Sequence, residues 1–174
     1  MNIIIKKNYV FFKDYKLKCS VGKLGIKKFK KEGDLTTPKG LFKLGILYFR
    51  GDRNKNLKAL ISKKKIKKNM GWCDDINSKR YNQEIRFPYK YHAERLYRRD
   101  GIYDIFINIK YNQNPTIKGK GSAIFLHLAN KNYKTTKGCV AISKKDFLKI
   151  LPYIKKKNKN SYRLNVSFTK NSCA

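Results

Sequence analysis

A chain of 174 residues with 43 Lys+Arg against 11 Asp+Glu carries a formal net charge of +32 and is long enough to bury a core without metal or disulfide support. Its four cysteines form no CxxC pair and it has only two histidines, which argues against a zinc centre, while the even count permits disulfides that the spacing does not demand. Nothing approaches the roughly 18 consecutive apolar residues of a membrane-spanning helix, while the charge favours polyanionic partners such as nucleic acid, anionic lipid or a cell-wall polymer.

Residues 2–5 and 9–12 are short β-branched or aromatic runs. Residues 15–21 alternate Tyr15, Leu17, Cys19 and Val21 with lysines, the period of a half-buried strand, so the chain is expected to open as a meander that Gly22 and Gly25 interrupt. Lys30 to Gly40, KKEGDLTTPKG, has the composition of turns. Residues 41–49 resume as a strand, and residues 57–66 fit either a strand or a short helix.

The stretch from Met70 to Asp75, MGWCDD, holds the one tryptophan and two of the few acids. It reads as a structured loop in which Trp72 either plugs the core or serves a site. Residues 102–109, IYDIFINI, form a strong β run. Residues 123–128 and 140–142 are two further apolar strands, joined by a polar loop with three lysines. Ser143 suits a helix N-cap with Asp146 as capping-box partner, Phe147, Leu148, Ile150, Leu151 and Ile154 form its apolar face, and Pro152 limits its length. Residues 162–168 are a last alternating strand.

The expected fold is therefore mainly β, roughly seven to nine strands closed as a sandwich or barrel with one or two short helices. It is expected as one domain over residues 1–174, with its core at about 15–168, acting as a monomer.

The chemistry concentrates at Cys139 and His127. A Cys–His pair acts as a nucleophile because imidazole takes the thiol proton. Gly138 allows a tight turn before the cysteine, and the N–H groups there are candidates for an oxyanion site. Lys137 adds positive potential that favours thiolate. His92 is a second, weaker base candidate in an arginine-rich stretch. Cys19 reads as a small buried hydrophobe and Cys173 as part of a loose terminus.

The segment from Phe125, FLHLANKNYKTTKGCVAIS, resembles the active-site signature of the L,D-transpeptidase catalytic domain, the YkuD-like (ErfK/YbiS/YcfS/YnhG) family: a histidine, a variable loop, then Ser/Thr-x-Gly-Cys-Val/Ile. The matching residues are His127, Thr136, Gly138, Cys139 and Val140. TTPKGLFKL is similar to the family's Thr-Pro-x-Gly motif, and MGWCDDINSKRYNQ and ERLYRRDGIYDIFINIKYN resemble one branch of it. The resemblance implies a bacterial cell-wall enzyme in which Cys139 attacks the amide between the third residue of a peptidoglycan stem peptide, usually diaminopimelate, and the D-residue that follows. His127 then serves as base and acid, and the acyl group passes to an amine of another stem peptide. It implies no metal or organic cofactor.

The family often has His where Lys137 stands and Arg where Ala141 stands. Arg98, Lys137 or Tyr81 is expected to supply the missing charge or hydrogen bond, with Thr136 and Gly138 completing the substrate and oxyanion site. Alternatives are an L,D-carboxypeptidase on the same substrates, a wall-binding module without turnover, and a basic polyanion- or nucleic-acid-binding protein. No nucleic-acid partner is expected under the leading reading, since no basic recognition helix or zinc knuckle is present. The family places the protein in the cell envelope or periplasm. The opening residues MNIIIKKNYVFFKDYK show no signal peptide, which keeps the cytoplasm as an alternative.

Overall fold

A computed structural model describes residues 2–154 and 163–166. The strands are β1 (Asn2–Lys6), β2 (Tyr9–Phe12), β3 (Tyr15–Ser20), β4 (Ile26–Lys27), β5 (Thr37–Pro38), β6 (Gly40–Phe49) and β7 (Lys63–Lys65). They continue as β8 (Met70–Cys73), β9 (Glu84–Arg86), β10 (Ala93–Arg95), β11 (Ile105–Ile109), β12 (Phe125–Leu128), β13 (Val140–Ile142) and β14 (Arg163–Val166). One helix, α1 (Lys144–Ile150), runs into a 3₁₀ turn over Leu151–Tyr153.

The mainly β expectation matches this architecture. Nine strands share one sheet in the order β11-β12-β13-β3-β2-β1-β14-β6-β7, and β11 also pairs with β6, so the order curls back on itself. The opening meander is present as β1–β2–β3. Residues 2–12, left outside the expected core at 15–168, contribute Ile3, Ile5, Val10 and Phe12 to it. Of the ambiguous 57–66 stretch only Lys63–Lys65 becomes regular, as a strand beside β6. A second sheet, β10-β8-β9, and the parallel pair β4–β5 complete the strands. These have two to four residues each, too short for a period-2 pattern to stand out.

Two apolar clusters follow from strand alternation. On β11, Ile105, Ile107 and Ile109 join an aliphatic core with Leu47, Leu126, Val140 and Ile142. Phe106 faces the other way, into an aromatic cluster with Tyr48, Trp72, Tyr103 and Phe125. There Tyr48 stacks on Phe106 at 4.8 Å and Trp72 meets Phe125 edge-on at 5.1 Å. Trp72 donates its indole N–H to Asn82 Oδ1 at 3.0 Å, so it is a core plug. The helix is capped as expected: Ser143 Oγ accepts from the Asp146 N–H at 3.0 Å and donates to its carboxylate at 2.7 Å. Its Phe147 and Ile150 enter the aliphatic core. Cys19, Cys73 and Cys139 are free thiols. Cys173 and the outer residues of the last expected strand lie outside the described residues.

Candidate active site

β12 and β13 are parallel neighbours with His127 in register with Ala141. Both strands are buried along their whole length, which is why FLHL and VAI read as continuous apolar runs. Leu126, Leu128, Val140 and Ile142 point into the aliphatic core. Phe125 and Cys139 belong to the aromatic cluster, and His127 meets Tyr103 of that cluster edge-on at 5.4 Å. His127, Cys139 and Ala141 line one cavity of about 580 Å³. Both strands lie inside the sheet, because β13 also pairs with β3.

The cysteine is placed by a clamp of threonines. Thr136 Oγ1 accepts from the Gly138 N–H at 3.0 Å and donates to the Cys139 carbonyl at 2.7 Å. Thr37, from the TTPKG motif, accepts from the Gly22 N–H at 2.8 Å and donates to the Gly138 carbonyl at 2.9 Å. Gly138 has φ +147°, and a Cβ there would stand 2.8 Å from the Thr36 carbonyl oxygen. Only glycine fits this backbone without strain. The Gly138 N–H, a candidate oxyanion donor from the motif, is committed to Thr136 instead.

Cys139 is 8% exposed. Its Sγ accepts from the Phe125 N–H at 3.3 Å and donates to the Ala123 carbonyl at 3.2 Å. Burial pushes the thiol up to about 12, with the Glu94 carboxylate adding to the rise, while the Phe125 N–H and the Lys30 ammonium act against it. His127 is 6% exposed, and burial brings its imidazole down to about 4. Its Nδ1 lies 2.9 Å from the Leu128 carbonyl oxygen. A carbonyl only accepts, so Nδ1 carries the hydrogen and Nε2 is the free base. At neutral pH the pair rests as thiol and neutral imidazole.

Of the other expected residues, Thr136, Lys137, Gly138 and Arg98 line the cavity. Arg98 binds Asp100 at 2.6 Å, lies 3.6 Å from Glu94, and sits over the Tyr103 ring at 5.4 Å. Tyr81 stands behind the wall rather than in it: its hydroxyl donates to Glu32, a lining residue, and accepts from the Gly121 N–H at 3.0 Å. His92 lines the cavity, its Nδ1 2.5 Å from Asp74 Oδ1, with its side chain mostly exposed.

Sequence reasoning missed Lys30, Thr37, Glu94 and Tyr103. Glu94 accepts from the Tyr103 hydroxyl at 3.0 Å, and its carboxyl is raised by burial. A usable signal existed for the acids: the chain has 11, and Glu32, Asp74 and Glu94 all line this cavity. Among the described residues no group of His, Cys, Asp and Glu side chains is arranged to hold a metal, and no helix is long and apolar enough to cross a membrane.

The family model of the L,D-transpeptidase catalytic domain, YkuD, matches residues 4–161. No curated protein matched the sequence. With the match spanning most of the chain, the protein belongs to the YkuD family of L,D-transpeptidase catalytic domains, cysteine-dependent acyltransferases and peptidases that act on peptidoglycan.

Proposed function

We propose that this protein is a peptidoglycan L,D-transpeptidase with Cys139 as nucleophile and His127 as general base and acid. The observation that carries the reading is the presentation of a buried thiol and a neutral imidazole by adjacent parallel strands to one cavity. Because the thiol is held high and the imidazole low, no ion pair is waiting in the free enzyme. The proton leaves Sγ for His127 Nε2 as sulfur attacks the carbonyl carbon of the amide before the terminal D-residue. The tetrahedral intermediate collapses when His127 returns that proton to the departing amine. The side-chain amine of a second stem peptide then attacks the thioester, gives a proton to His127, and the C–S bond breaks, so that the cross-link forms and Cys139 leaves as the thiol with the proton that His127 returns.

Arg98, Lys137 and Lys134 line the cavity and suit the carboxylates of a stem peptide. Thr136 and Gly138 act by holding Cys139 in place. The chain works as one catalytic domain on stem peptides of the cell envelope, as a monomer and without a cofactor.

The test incubates the purified protein and its Cys139→Ala variant with purified muropeptides and follows products by mass spectrometry. A cross-linked dimer with release of a D-amino acid, both lost in the variant, is the expected result. Trimmed monomers alone make the protein a carboxypeptidase. Untouched muropeptides overturn the reading.

A further inference from the structure

Among the described residues Lys30 is a buried lysine where the other lysines are partly or fully exposed: its side chain is only 2% exposed. A buried ammonium is costly unless its charge is used or balanced. Its stem runs past one glycine to reach another. A Cβ on Gly121 would stand 2.8 Å from Lys30 Cε, and a Cβ on Gly138 would stand 3.4 Å from Lys30 Nζ. The absence of side chains at these two positions opens the lane that brings the ammonium beside the Gly138–Cys139 turn.

The ammonium's three N–H donors meet two acceptors among the described residues, Asp34 Oδ1 and, at 3.4 Å, the Lys31 carbonyl. Lys30 Nζ lies 2.6 Å from Asp34 Oδ1. That carboxylate also accepts from the Lys31 N–H at 2.9 Å, the Thr36 N–H at 2.9 Å and the Thr36 hydroxyl at 2.8 Å. Asp34 is thus held by four donors, of which Lys30 is the one cation. Of the other cations that line the cavity, Arg98 is bound to Asp100 and faces Glu94, while Lys134 and Lys137 lie on the exposed loop before Cys139. Glu94 opposes negative charge on Cys139, and Lys30 favours it. The Gly138 N–H, meanwhile, is spent on Thr136.

We propose that the Lys30 ammonium is the charged donor that stabilises the oxyanion formed when Cys139 attacks its acyl substrate. In that step the Sγ–C bond forms, the C=O π pair moves onto oxygen, and the thiol proton goes to His127 Nε2. On collapse the oxyanion re-forms the carbonyl, the bond to the leaving group breaks, and His127 gives its proton to that group. Lys30 keeps all its protons throughout. The role rests on the reading of Cys139 as nucleophile given above.

The test compares two reactions of the same sulfur. p-Nitrophenyl acetate acylates through an oxyanion and needs no stem-peptide recognition, whereas iodoacetamide alkylates with no oxyanion at all. Lys30→Met is expected to slow acylation by ~10²-fold, the cost of removing one oxyanion donor, while alkylation slows by less than a tenth as much. Lys30→Arg, keeping the charge, recovers part of the acylation rate. Lys30→Gln, which still hydrogen-bonds Asp34, gives the same comparison should Lys30→Met not fold. Equal slowing of both reactions, or equal rates for the Met and Arg variants, overturns the proposal and leaves Lys30 a structural partner of Asp34. Wild-type protein that is acylated yet leaves muropeptides untouched refutes the transpeptidase reading alone. Acylation that survives Cys139→Ala refutes the nucleophile and this role with it.

Discussion

The two faces of β12 and β13 make one pair of strands do different jobs. One face, with Leu126, Leu128, Val140 and Ile142, is aliphatic and closed inside the curled sheet. The other, with Phe125, His127, Cys139 and Ala141, is aromatic and titratable, and part of it lines the cavity. The first face fixes where the strands lie by burying area, which is non-directional. The second inherits that placement and spends it on directional contacts, such as the Phe125 N–H to Cys139 Sγ and the Tyr103 edge against His127. The site is therefore rigid because its reverse side is core.

Mutations one residue apart should separate the faces. His127→Gln is expected to lower turnover by ~10²–10⁴-fold, the range of general acid–base catalysis, with little change in melting temperature. Leu126→Ala, whose side chain is fully buried, should cost about 2–5 kcal/mol of stability, read by urea unfolding, and spare turnover in the molecules still folded. Comparable stability losses from both would erase the division.

Thr37→Val removes the donor to the Gly138 carbonyl and strands the buried Gly22 N–H. The expected cost is roughly 1–3 kcal/mol, with slower acylation because the turn before Cys139 loosens. An unchanged acylation rate would show that Thr136 alone holds that turn.

The titratable face should also confer a pH dependence that the aliphatic face lacks. Folding lowers His127 from its ordinary 6.5 to about 4. Between those values the unfolded chain binds a proton that the folded chain does not. Stability contributed by His127 is thus full above 6.5 and falls as pH drops toward 4, by at most about 1.4 kcal/mol per unit. Denaturation curves of wild type and His127→Gln across this window should differ in slope; parallel curves would mean His127 is accessible to protons in the folded state.

The smallest effect expected is at Glu94. Its carboxylate disfavours negative charge on Cys139, so Glu94→Gln lowers the thiol's pKa and enlarges the thiolate fraction. Alkylation at fixed neutral pH should quicken by up to about tenfold, one pKa unit. Slower alkylation would place another charge in control of the sulfur.

The long apolar strands, the capped helix and the Gly-Cys turn at Cys139 are legible in the sequence because each imposes a local pattern. Apolar runs, a Ser-x-x-Asp cap and a Gly-Cys turn are all short-range signals. What escapes is whatever depends on distant segments. Lys30 looks like any other of the 43 basic residues until Gly121 and Gly138 are folded around it. Tyr81 is expected to give the site a hydrogen bond, yet its hydroxyl is occupied with Glu32 and Gly121 one layer back. The position of β13 inside the sheet escapes for the same reason: its pairing with β3 joins residues more than a hundred positions apart, and no local period reports it.

The connection between β12 and β13 is anchored unevenly. Near the cysteine, Thr136 is held by backbone bonds to Val21 and Lys23 as well as by its own hydroxyl. Before that point, Asn130, Lys134 and Thr135 line the cavity from a polar, largely exposed stretch. Divergence can therefore act on the two parts independently. Changes of charge or length at 130–135 alter the lining of the cavity, while the threonine clamp leaves Cys139 in place.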